Sequence, residues 1–116
     1  MADHVDIPID QFSDICYTFQ ALQIDQTPLD LTTATDVILT VKETLTSKTP
    51  LDTYSLADNI RITNPTNGEW DVTFPSLRTA AYPSNPLVYD VYLVFGTKRY
   101  RACQGSVLPN KNVTGV

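Results

Sequence analysis

Histidine is nearly absent from this sequence. His4 is the only one, four residues from the start, so a Ser-His-Asp or Cys-His arrangement would need that residue folded into a site. Cys16 and Cys103 are the only cysteines; with His4 they fall short of the roughly four ligands of structural zinc. Glycine is scarce, four against eight prolines. No phosphate loop of the G-x-x-x-x-G-K-[ST] or G-x-G-x-x-G kind occurs, no G-x-S-x-G elbow and no D-x-[DN]-x-[DN]-G calcium loop. No apolar run approaches the about 18 residues of a membrane helix. Basic residues are few, 8 against 13 acidic ones, for a net charge of −5. That balance opposes nucleic acid and anionic lipid as partners, because phosphate binding needs a positive face. The first residues are acidic and lack an apolar leader, so a chain that starts in a cytosol is expected.

What is present is hydrophobic, β-branched and finely alternating. A length of 116 residues supports one domain, 1–116, that can bury about two-thirds of its surface. Val5, Ile7 and Ile9 alternate with polar residues around Pro8, which suits an edge strand. Ile15, Tyr17, Phe19 and Ala21 repeat the pattern, and 25–30 is turn chemistry. Val37, Leu39 and Val41 read as a strand, with a helix over 35–45 as the disfavoured alternative. Residues 46–58 read as a loop with a short edge strand at 54–56, followed by a strand at 60–63. Asn64-Pro65-Thr66-Asn67-Gly68 is a reversal leading into Trp70, Val72 and Phe74. Over 76–82 a helical turn is expected, capped by Ser76, with Leu77, Ala80 and Ala81 on one face. Tyr89, Val91, Leu93 and Phe95 form a central strand, apolar on both faces, that turns at Gly96-Thr97 into a partner over 98–104. Gly105 breaks the alternation, which suggests a bulge. The first residues and the tail after Pro109 read as loose. Seven to nine short strands with at most one helical turn spell an all-β, antiparallel, immunoglobulin-like β-sandwich. The expected core joins the 89–95 strand to Trp70, Val72, Phe74 and Tyr17.

Few residues suggest chemistry. Without Met1, Ala2-Asp3-His4 would offer an amine, two amides and an imidazole to Cu²⁺ or Ni²⁺, though a frayed terminus is the simpler account. Asp90 stands out among eleven aspartates because its strand neighbours are apolar. A catalytic carboxylate would need a partner there, and a buried Asp bonded to an arginine is the plainer expectation. Arg101, across the hairpin, is the expected partner. Lys98-Arg99-Tyr100-Arg101 is the only basic cluster, with Arg99 and Arg101 on one face, and reads as a solvated strand face. Asn112-Val113-Thr114 matches a glycosylation acceptor by chance. Cys16 and Cys103 read as free thiols, with a disulfide between the first and last strands as the alternative. No catalytic, metal or cofactor site is assigned.

One order of residues is distinctive. It runs through Asp30-Leu31-Thr32, Val41, Asp58-Asn59-Ile60-Arg61-Ile62, Asn67-Gly68 and Thr79, then Val88-Tyr89-Asp90-Val91, Gly96, Arg101, Gly105 and Val107, to Val113-Thr114. Over residues 28–114 this resembles small β-sandwich structural proteins of tailed bacteriophages, and is similar to the immunoglobulin-like N-terminal domain of phage baseplate upper proteins. The resemblance implies a non-enzymatic virion component, made in the bacterial host cytoplasm, that docks on other virion proteins in the tail, baseplate or neck. Homo-oligomers in a symmetric assembly fit the same expectation; nucleic acid, membranes and small-molecule substrates do not. The stalk and receptor-binding parts of the baseplate proteins have no counterpart in the sequence. A capsid decoration protein and a free phage-encoded host-binding module are the alternatives, and a carboxylate hydrolase is disfavoured. The expected contact elements are 5–9, the loop 46–58 and the tail after Pro109.

Overall fold

A computed structural model describes residues 3–11, 13–83 and 85–110. They form an all-β sandwich of two packed sheets. The strands are β1 (Asp3–His4), β2 (Ile7–Asp10), β3 (Ile15–Gln20), β4 (Asp36–Lys42), β5 (Asp52–Tyr54), β6 (Ile60–Asn64), β7 (Glu69–Phe74), β8 (Leu87–Phe95) and β9 (Lys98–Asn110). One helical turn, α1 (Ser76–Thr79), and a 3-10 turn, Pro65–Asn67, complete the described elements. The large sheet runs β1-β9-β8-β4-β5, with β2 also on β9; the small sheet runs β3-β7-β6.

The alternation dictates the packing. β4 buries Val37, Leu39 and Val41 and turns Ile38, Thr40 and Lys42 outward, as a strand and not a helix does. β8 sits between β4 and β9 and buries Leu87, Tyr89, Val91 and Leu93. From the small sheet, Trp70, Val72 and Phe74 fill the opposite side, each at most 1% exposed. Burying side chains of this size contributes about 1.5–3 kcal/mol each. Phe95 and Tyr17, expected in the middle, are only partly buried. Each lies at a margin, Phe95 at the last β8 position beside the hairpin turn and Tyr17 on the edge strand β3. Their place is taken by Tyr54, Leu31, Ile7 and Ile9, each 0–2% exposed.

Three local expectations need correcting. The N-terminal segment pairs parallel to β9, Ile7 opposite Val107 and Ile9 opposite Pro109, so one margin of the large sheet is parallel. The bulge falls not at Gly105, which pairs regularly with Tyr89, but between Arg101 and Cys103, where Ala102 is the extra residue. Gly105 serves another purpose. A Cβ there would lie 2.1 Å from the Val5 carbonyl oxygen, so the glycine admits the close pass of the N-terminal chain. In α1, Pro75 and not Ser76 occupies the cap position, and the Asp14 carboxylate accepts from the Ser76 N–H at 2.7 Å. Leu77 is 93% exposed, and the turn faces the protein with Thr79 and Tyr82.

The turns follow the sequence closely. Gly68 at φ 70° ends the 3-10 turn, and a Cβ there would meet the Ala21 and Leu29 carbonyls at 2.6 and 2.7 Å. Gly96 at φ 64° opens the two-residue link between Phe95 and Lys98.

Candidate functional site

The expected Asp90–Arg101 pair does not form. Asp90 is half-buried on the outer face of β8, opposite Thr40 on one side and Gln104 on the other. Counted back from the two-residue turn, Arg101 falls opposite Tyr92, two pairs short of Asp90, and the bulge at Ala102 beyond it sets Gln104 opposite Asp90. The Arg101 guanidinium donates to the Tyr92 hydroxyl at 3.0 Å and to Gln104 Oε1 at 3.3 Å. Arg99 lies over the same ring, 4.8 Å from its centroid, and Arg101 at 5.5 Å. The two arginines do share a face. They make a small cationic platform on the outside of the large sheet, where cation–π contact holds both guanidinium planes.

Cys16 is exposed on β3 and Cys103 is buried on β9, and no disulfide joins them. Ala2 and the Asn112-Val113-Thr114 triplet lie outside the described residues, as does the tail from 111. The backbone of Asp3 and His4 pairs with Cys103 and Gln104. Among the described residues, no group of three or more His, Cys, Asp or Glu side chains is placed to hold a metal ion.

The densest polar chemistry joins the 46–58 segment, read as a loop with an edge strand at 54–56, to the helical turn expected over 76–82. Arg78, on α1, reaches β5. Its Nε donates to Asp52 Oδ2 at 3.2 Å, its Nη1 to Asp58 Oδ1 at 2.8 Å, and its Nη2 to the Thr53 carbonyl at 2.9 Å and to Asp52 Oδ1. The guanidinium carbon sits 4.0 Å above the Tyr54 ring. The Tyr82 hydroxyl donates to Asp52 Oδ2 at 2.6 Å. Tyr54 therefore donates to Tyr82 across their 2.7 Å contact. Burial works to raise the Asp52 carboxyl, but Arg78, Tyr82 and Tyr54 together hold it below its ordinary value. Burial first, and then the nearby carboxylate, pushes the Tyr82 hydroxyl well up; burial dominates at Tyr54 too. The result is a guanidinium–carboxylate–tyrosine clamp that fastens α1 over β5. Gln11 fastens α1 on its other flank. Fully buried, it donates to the Thr79 and Tyr82 carbonyls at 2.8 and 2.9 Å. Neither Arg78 nor Gln11 carried a sequence signal, because each works through partners about 20 to 70 positions away.

The sheet margins differ sharply in how they are finished. Unpaired strand edges invite other strands, and proteins blunt them with charge, proline, bulges or shortness. β5 has three residues. β6 carries Arg61 and a bulge between Ile62 and Asn64. β2 contains Pro8, whose carbonyl accepts the Tyr17 hydroxyl, and it is flanked by Asp6 and Asp10. The part of β9 that β1 leaves uncovered carries Lys98, Arg99, Arg101 and the bulge. β3 has none of these devices. Its six residues, Ile-Cys-Tyr-Thr-Phe-Gln, are uncharged and pair with β7 without a shift.

The ladder phase of β3 follows from two bonds. The Ala21 N–H donates to the Gly68 carbonyl at 2.8 Å and the Thr73 N–H to the Asn59 carbonyl at 3.0 Å. Since antiparallel pairs alternate, Ile15, Tyr17 and Phe19 bond to β7 while the backbone groups of Cys16, Thr18 and Gln20 point away from the sheet. Among the described residues no backbone bond reaches those three from outside β7. Tyr17 and Phe19 on the inner face remain half-buried, Tyr17 edge-on to Phe74 and Phe19 stacked on Trp70 at 4.5 Å.

The expected contact elements fare unevenly. Residues 5–9 are not loosely held, because Ile7 and Ile9 are 1% and 2% exposed, and the Tyr89 hydroxyl donates to the Val5 carbonyl. The 46–58 segment includes fully buried Tyr54 on β5. A cleft of about 710 Å³, unforeseen from sequence, opens beyond the end of β3 between the 21–30 turn and the β8–β9 hairpin. Leu22, Ile24, Phe95 and Tyr100 line it, with Asp25, Asp30 and Arg101 among its polar residues. Asp25 and Asp30 are each held down in pKa by a neighbouring threonine hydroxyl, Thr27 and Thr32.

No family model matches the chain, and no curated protein matches it.

Proposed function

We propose that this chain is a structural protein of a tailed-bacteriophage virion, made in the host cytoplasm, which docks on other virion subunits in the tail, baseplate or neck and performs no chemistry. The observation that carries a docking role is the contrast among the margins. Three strand edges and the free part of β9 are blunted, and β3 is left uncharged, regular and unpaired. An edge of that kind is the usual substrate for strand addition between proteins. The virion assignment rests on the order of residues that resembles phage β-sandwich proteins. Several of those residues have firm physical work in this fold: Gly68 and Gly96 at turns, Gly105 beneath Val5, and Val41, Val91 and Val107 in the core.

Quantitative mass spectrometry of purified particles tests the proposal. Stoichiometric chain in the particle supports it. Absence from particles that otherwise assemble removes the virion role and favours a free host-binding module. Truncating residues 1–10 is a poor probe, since it takes Ile7 and Ile9 out of the core. Substitution at Thr18 leaves the core intact and addresses the edge directly.

A further inference from the structure

We infer that the open edge of β3 pairs with β3 of a second copy, joining two small sheets into one continuous antiparallel sheet about a two-fold axis at Thr18. This rests on the docking role proposed above and names its partner.

The choice of a second copy comes from elimination within the molecule. A head-to-tail contact would need a different edge of the same chain to receive β3. β1 and β5 are too short, with two and three residues, β6 is bulged beside Arg61, β2 presents Pro8, and the free part of β9 is basic and bulged. The remaining edge that matches β3 is β3 itself, and a contact of a surface with its own copy closes as a two-fold dimer. The strand itself brings no charge to the contact from Ile15 to Gln20.

The register follows from the ladder phase. The outward backbone groups belong to Cys16, Thr18 and Gln20. Centring the axis on Thr18 uses all three. Thr18 faces Thr18 of the copy, Cys16 faces Gln20, and each such pair exchanges two N–H···O bonds. Tyr17 then faces Phe19 of the copy in the intervening, closer pairs. Both rings are half-buried on the inner layer, so the dimer covers aromatic surface that the monomer leaves partly wet. Asp14, the acid that precedes the strand, falls opposite Leu22 of the copy and away from its own counterpart, while Asp71 and Glu69, beside Thr18 and Gln20, stay one strand back from the contact. Aromatic cross-strand pairs of this kind stabilise sheets.

Analytical ultracentrifugation of the purified full chain over a wide concentration range tests the inference. The wild type should move from monomer to a species of twice the mass as concentration rises. Thr18→Pro should remain monomeric at every concentration with unchanged circular dichroism, since the Thr18 N–H makes no bond to any described residue and edge strands accept proline there. Thr18→Lys, a milder change, should also abolish the dimer through like charges face to face. In a Cys16→Ser background, Thr18→Cys should give a disulfide-linked dimer on mild oxidation, because facing residues in such pairs lie about 5.5 Å apart at Cα, within disulfide reach. A wild type that stays monomeric, or a dimer that survives Thr18→Pro, overturns the inference. The docking role fails separately, by absence of the chain from purified particles.

Discussion

The two sides of the sandwich are finished in opposite ways. On the β5 and β6 side, Arg78, Asp52, Tyr54 and Tyr82 lock α1 across the margin, and Tyr54 is completely buried beneath them. On the β3 side, Tyr17 and Phe19 pack against the core but stay partly exposed, and the outward backbone groups find no backbone partner among the described residues. A polar clamp on one side costs desolvation and returns rigidity. An edge left bare of charge and proline carries an aggregation hazard, which selection tolerates when another strand is meant to fill it. The difference separates residues that hold the fold from residues free to serve binding.

Substitutions can break this contrast, and the largest effect belongs to the closed side. Tyr54→Ala should lower unfolding stability by about 3–5 kcal/mol in denaturant titrations, as deletion of a fully buried aromatic does. Tyr17→Ala on the open side should lose less, about 1–2 kcal/mol, because part of its surface is already in water. Equal losses would mean that the sides are not differently packed.

Arg78→Ala should come next, at about 2 kcal/mol, since it strands a carboxylate whose side chain is only 16% exposed. It also carries a pH signature. The Asp52 carboxyl is depressed in the folded protein, so its contribution is present above the ordinary carboxylate range and is lost as pH falls through its folded value. Thermal melts from pH 6 to pH 2 should show a shallower acid decline in Arg78→Ala than in the wild type.

The tyrosines supply the opposite limb. Tyr54, Tyr82 and Tyr89 keep their protons in the folded protein above the usual tyrosine value near 10. Their contribution is whole below that pH and is lost as pH rises through the folded values. Stability should therefore fall from about pH 10 upward, and Tyr82→Phe should soften the fall. The smallest effect lies on the open side, where Thr18→Lys should change monomer stability by less than about 0.5 kcal/mol.

What the sequence revealed follows the same division. Local alternation made β3, β4, β7 and β8 readable, and the positive-φ glycines at 68 and 96 marked their own turns. Long-range partnership was hidden. Nothing in Val5, Ile7 and Ile9 announces a parallel pairing with a strand about 100 positions away. Ala102 keeps the apolar rhythm while it bulges, which hides that Gln104 faces Asp90, and Arg101 lies two pairs away, opposite Tyr92. Tyr54 was concealed in a polar stretch. The bareness of β3 was written plainly in Ile-Cys-Tyr-Thr-Phe-Gln, yet only the sheet order shows that this strand is an edge.

Amide hydrogen exchange along β3, followed residue by residue by NMR on dilute protein, addresses the open edge most directly. The amides of Cys16, Thr18 and Gln20 should exchange almost as fast as in an unfolded chain, while those of Ile15, Tyr17 and Phe19 are protected. Raising the concentration should bring protection to the fast set alone. Uniform protection of all six at high dilution would contradict an open edge, and uniformly fast exchange would contradict the β3–β7 ladder itself.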